Sequence, residues 1–165
     1  MLRRALIVIA ALVILGAAGV PLVAFVIVPQ FVRSTLVEEL PTAPDASTRP
    51  GAVAASTVPG VLVSGELVRI SAADYGTGAV RIVRVGETRI LRFDNVDIAG
   101  APDVYVYLSD RSDGQPGAFI DLGRLKATNG SFNYTIPASA DLGAVRSVVL
   151  WCRQFNVTIT YATLR

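Results

Sequence analysis

The chain divides at once into two hydrophobic patterns. Ala5 to Val28 is a run of 24 residues without charge or hydrogen-bonding side chains. From Val61 onward apolar and polar positions alternate with a period close to two. As a helix the first run would reach about 36 Å at ~1.5 Å per residue, enough to cross a hydrocarbon core of ~30 Å with some tilt. Fifteen of its residues are Leu, Ile, Val or Phe. At about −0.3 to −0.6 kcal/mol each they favour insertion by roughly 4–9 kcal/mol, before the costs of Gly and Pro. The pattern therefore predicts one N-terminal transmembrane helix. Arg3 and Arg4 precede it, while Glu38, Glu39 and Asp45 follow soon after Arg33. Basic residues stay on the cytoplasmic side, which puts residues 1–4 inside and everything after the run outside. The alternative is a cleaved signal peptide with Leu6–Leu15 as its apolar region and Gly16-Ala17-Ala18 as cleavage residues. The apolar stretch runs well beyond the ~7–15 residues such a peptide needs, which favours a retained anchor. Both readings export the rest of the chain. Pro21 predicts a kink, no small residues recur four apart, and no ionisable group lies inside the span, so it reads as a simple anchor.

In the second pattern, Val80 and Ile82 alternate with Ala79 and Arg81, and Val104, Val106 and Leu108 with Tyr105, Tyr107 and Ser109. Val148, Leu150 and Cys152 alternate with Val149, Trp151 and Arg153, and Val157, Ile159 and Tyr161 with Asn156, Thr158 and Thr160. Such β-branched and aromatic runs are strands. Turn signals separate them at Asp74-Tyr75-Gly76, Val85-Gly86-Glu87, Asp113-Gly114, Pro116-Gly117 and Asn129-Gly130. Ser71–Tyr75 reads as a brief helical turn. Short strands without βαβ alternation predict an all-β antiparallel sandwich or barrel-like domain over residues 61–165. Residues 29–60 read as a juxtamembrane segment and linker, Pro-rich and mostly unpacked over 34–60.

Composition narrows the chemistry. Residues 61–165 hold eleven Arg or Lys and ten Asp or Glu, scattered among one another. That is a solvated mixed-charge surface and carries no nucleic-acid signal. There is no histidine, Met1 is the only methionine and Cys152 the only cysteine. No metal site, cofactor, phosphate loop or Ser–His or Cys–His pair is predicted, and no intramolecular disulfide can form. Asp110 and Asp113 beside Gly114 match no calcium loop and read as a solvated turn.

Three segments carry a resemblance: Gly100-Ala101-Pro102-Asp103-Val104-Tyr105-Val106-Tyr107-Leu108-Ser109; Asp121-Leu122-Gly123-Arg124-Leu125-Lys126 through Asn133-Tyr134-Thr135-Ile136-Pro137; and Ser147-Val148-Val149-Leu150-Trp151-Cys152-Arg153-Gln154-Phe155-Asn156-Val157. In order and spacing, with Gly65, Gly78, Ala162 and Leu164, they resemble the DM-thirteen (DM13) domain family over about Val61 to Leu164. The resemblance implies an extracellular all-β module of redox or electron-transfer role whose single cysteine is the active group, here Cys152. Asp74 and Tyr75 stand where many members carry histidine, so chemistry that couples cysteine to histidine does not apply.

Two readings of Cys152 follow. Its parity with Val148 and Leu150 points it into the core, where free cysteine behaves as a small hydrophobe. A redox role needs an exposed thiolate near positive charge, and Arg153 faces the other way on a regular strand. Trp151, Arg153, Phe155, Tyr75, Tyr105 and Tyr107 are the candidate surroundings or binding face. Trp151, Tyr105 and Tyr107 lie opposite the aliphatic residues of their strands, as a second packed face or as a surface for a ligand. The expected partners are the lipid bilayer and a redox or surface protein.

Overall fold

The computed structural model describes residues 33–41 and 60–165, and the predicted transmembrane helix lies outside them. Among the described residues the chain is all β, with no helix long and apolar enough to cross a membrane. Nine strands form: β1 (Thr35–Val37), β2 (Gly60–Glu66), β3 (Gly76–Val85), β4 (Thr88–Ile98), β5 (Val104–Ser109), β6 (Phe119–Arg124), β7 (Asn129–Ile136), β8 (Ser147–Cys152) and β9 (Val157–Thr163). They make a five-stranded sheet in the order β1-β7-β4-β3-β2 and a four-stranded sheet in the order β6-β5-β8-β9. All pairings are antiparallel except β1 with β7.

The period-two pattern decides what lies between the sheets. Val80, Ile82, Leu91, Phe93 and Phe132 come from the first sheet, and Val104, Val106, Leu108, Val148, Leu150 and Cys152 from the second, forming one buried cluster. Phe93 and Phe132 are cross-strand partners whose rings stack at 4.9 Å, and Tyr134 meets them edge-on at 5.8 and 6.1 Å. The Tyr134 hydroxyl accepts from the Lys126 amide at 2.8 Å and donates to the Arg124 carbonyl at 2.9 Å. A buried phenol needs such partners, and burial pushes its pKa up.

The two sheets close on each other along β2 and β9, where Ser64 and Arg165 exchange backbone hydrogen bonds at 2.9 Å. Gly65 permits this approach, because a Cβ there would sit 2.3 Å from the Thr163 carbonyl oxygen. Gly78 serves a different need. It sits at the register shift between β3 and β4 with φ of 95°, a left-handed value that side chains disfavour.

Three expectations are corrected. The linker reading of 34–60 does not hold for its first residues. Ser34 and Thr128 exchange hydrogen bonds, β1 adds to the edge of β7, and Leu40 packs on Val83, Val85 and Ile90 across the outer face of the first sheet. Glu38 accepts from the Asn133 amide at 2.8 Å and from Lys126 at 3.0 Å. Burial opposes its charge, but Asn133, Lys126 and Arg92 together outweigh that and hold its carboxyl below the ordinary value. Asn129-Gly130, a turn signal in isolation, instead opens β7, where the close passage of Leu36 leaves no room for a side chain at Gly130. Ser71–Tyr75 is a bend rather than a helical turn. The Ser71 hydroxyl accepts from the amides of Ala73 and Asp74 at 3.1 and 2.8 Å, which competes with helical bonding.

Candidate functional site

Cys152 is the last residue of β8, paired with Val104 on one side and Val157 on the other. Its side chain is 0% exposed and belongs to the main apolar cluster. No group of three metal-ligating side chains forms among the described residues. The site is apolar and closed to solvent.

Arg153 follows it in sequence and faces the other way. Its guanidinium lies 3.4 Å from the Tyr105 ring centroid, donates to the Tyr107 hydroxyl at 2.7 Å and meets Asp121 at 2.5 Å. The hydrogen bond to Tyr107 and the Asp121 carboxylate hold the charged form more firmly than usual. Tyr105 pairs across the strands with Trp151, and Tyr107 with Val149. Tyr107 also stacks on Phe119 at 4.0 Å. Of the candidates named from sequence, Trp151, Arg153, Tyr105 and Tyr107 therefore come together on the outer face of the second sheet. They are separated from the Cys152 side chain by the sheet itself.

The other two candidates stand elsewhere. Phe155 is exposed in the turn between β8 and β9. Tyr75 ends the connection between β2 and β3, where its hydroxyl accepts from Arg33 at 2.9 Å and Arg69 lies 4.4 Å over its ring.

The connection from β5 to β6 folds back over the outer face. Thr158 donates to the Gly114 carbonyl at 2.7 Å, Ser147 to the Arg111 carbonyl at 2.5 Å and Ser109 to the Gln115 carbonyl at 3.0 Å. Arg111 and the Gln115 amide hold the Asp113 carboxyl down at about 2. Beneath this cover Val149 and Tyr107 are buried, as the packed-face reading expects, while Tyr105 and Trp151 stay half-exposed. Beside it lies an open groove of about 620 Å³ lined by Arg69, Ile70, Gln115, Trp151, Asn156 and Tyr161, among others. Sequence reasoning missed Phe119, Asp121 and this groove. Parity groups Tyr161 with Val157 and Ile159, but the register shift between Leu150 and Trp151 sets it opposite Val149 on the outer face, so only the pairing of β8 with β9 reveals it.

The geometry defines a two-sheet β module whose one thiol is buried between the sheets and whose outer face carries polar and aromatic side chains. The family match makes the class specific. The chain belongs to the Electron transfer DM13 family, which matches residues 70–164. That makes it an electron-transfer-related module. No curated protein and no solved structure matches the chain.

Proposed function

We propose that this protein is a membrane-tethered, extracytoplasmic binding module of the electron-transfer family that works by recognising a redox or surface protein partner, with Cys152 as an inert core residue. The observation that carries this is the complete burial of Cys152 among aliphatic side chains. A thiol in that position cannot meet the disulfide of a partner while the fold is intact. The tether rests on the 24-residue uncharged run behind Arg3 and Arg4. The recognition surface is the half-exposed face of Tyr105, Trp151 and Arg153, since aromatic and Arg side chains dominate binding energies at protein contacts.

The test treats the full chain, folded in membranes, with oxidised glutathione and then reads its mass. The expected result is no mixed disulfide until denaturant is added. A second reading keeps Cys152 as the working group, because it sits at the end of β8 beside a turn whose Phe155 is exposed, as is Val157 at the start of β9. Opening of that turn would let the Cys152 thiolate attack a partner disulfide, forming one S–S bond and releasing the partner's other sulfur as a thiolate. An adduct formed on the folded chain supports this second reading. Separately, protease added outside intact cells is expected to remove residues 61–165. Full protection of that domain would overturn the tether and its direction.

A further inference from the structure

We infer that the end of the sandwich carrying the connections β2–β3, β4–β5, β6–β7 and β8–β9 rests on the lipid surface, with Ile70, Phe155 and Val157 as its contact residues. The inference depends on the tether proposed above and goes beyond it by fixing which end faces the bilayer.

Three observations lead there. The apolar run ends at Val28, and Arg33 is already bound to the domain through Asp97 and Tyr75. Five residue steps reach at most about 18 Å at ~3.6 Å each, so this point of attachment stays close to the membrane. Arg33 lies where β1 begins, beside the start of β3 at Gly76, the end of β4 at Ile98 and the start of β7 at Asn129. Val104, Arg124, Cys152 and Val157 close the second sheet at that same end, because the links Ala99–Asp103 and Leu125–Thr128 are short. The opposite turn at Gly86-Glu87 is the length of a ten-residue strand away, about 33 Å at ~3.3 Å per residue.

That membrane-side end exposes apolar tips. Ile70 is 48% exposed, Phe155 44% and Val157 40%. They come from the β2–β3 connection, the β8–β9 turn and the first residue of β9, and together they give the apolar contact that an interfacial surface needs. The cations nearby are mostly neutralised: Arg33 by Asp97, Arg124 by Asp103, Arg153 by Asp121 and Lys126 by Glu38. The fitting occupant is therefore the apolar–headgroup boundary of a neutral bilayer rather than a cluster of anionic lipids. Weak contacts suffice, since the tether holds the end at high effective concentration.

The test uses the full chain in phosphatidylcholine vesicles. Single cysteines replace Ile70, Phe155, Val37 or Glu87, each carrying an environment-sensitive fluorophore, in a Cys152→Ala background and in parallel with Cys152 retained. Flotation with the vesicles reads the tether. Quenching by headgroup nitroxide lipids reads the contact. The expected result is flotation of every variant, with quenching at positions 70 and 155 at least twofold above that at 87 and 37. Equal quenching at all four positions, or stronger quenching at 37 or 87, in floating protein overturns the inference while leaving the tether standing. Failure to float overturns both.

Discussion

Cys152 and Arg153 are neighbours in the chain and have opposite surroundings. The sulfur belongs to the main apolar cluster, fully removed from water. The guanidinium lies on two tyrosine rings with a carboxylate at its end, and part of it is in solvent. One sheet separates them. The inner layer is closely packed and apolar, and the outer face carries directional polar and aromatic contacts. The most reactive residue type in the chain is thus placed out of contact with solvent.

The largest test of this contrast is in the inner layer. Phe93→Ala is expected to cost about 3–5 kcal/mol, because the stacked and edge-on rings of Phe132 and Tyr134 cannot refill the space. Denaturant unfolding measures it. A loss below 1 kcal/mol would mean that the layer is not close-packed. Cys152→Ser is next, at about 1–3 kcal/mol, since the hydroxyl would be buried without a partner. Cys152→Ala is expected to cost less than the serine variant. The reverse order would show that water already reaches the site. On the outer face Arg153→Ala is expected to cost about 1 kcal/mol or less, because exposed ion pairs and cation–π contacts are weak. Its loss should shrink further in high salt, and a core-sized effect would erase the distinction between the two faces.

The smallest effect concerns the connection that covers the outer face. The Asp113 carboxyl is lowered from 3.8 to about 2, chiefly by Arg111. A depressed carboxylate contributes stability that is present above its unfolded value of 3.8 and is lost as the pH falls toward 2. Asp113 and Trp151 line the same groove, so Trp151 fluorescence is expected to change across that acid window. In Asp113→Asn the change should disappear. An unaltered acid response in that variant would remove Asp113 as the cause.

The strands were legible because their alternation is local: Val104 to Ser109 and Ser147 to Cys152 announce both their conformation and their faces. The opposition of Cys152 and Arg153 followed from parity alone. What could not be read was anything set by distant pairing. β1 lies in parallel beside β7, across some ninety intervening residues, and no pattern within Thr35–Val37 reveals it. Asn129-Gly130 carries a strong local turn signal, yet Leu36 passing over it makes it the start of a strand. The stacking of Arg153 on Tyr105 depends on the register of β5 against β8, which local composition does not encode.

The most direct measurement is the alkylation rate of Cys152 in the native chain, followed through increasing denaturant and set beside the global unfolding rate. If the thiol is a core residue, labelling tracks unfolding and is negligible in its absence. Stoichiometric labelling of the folded protein, insensitive to denaturant and faster than unfolding, would contradict the account.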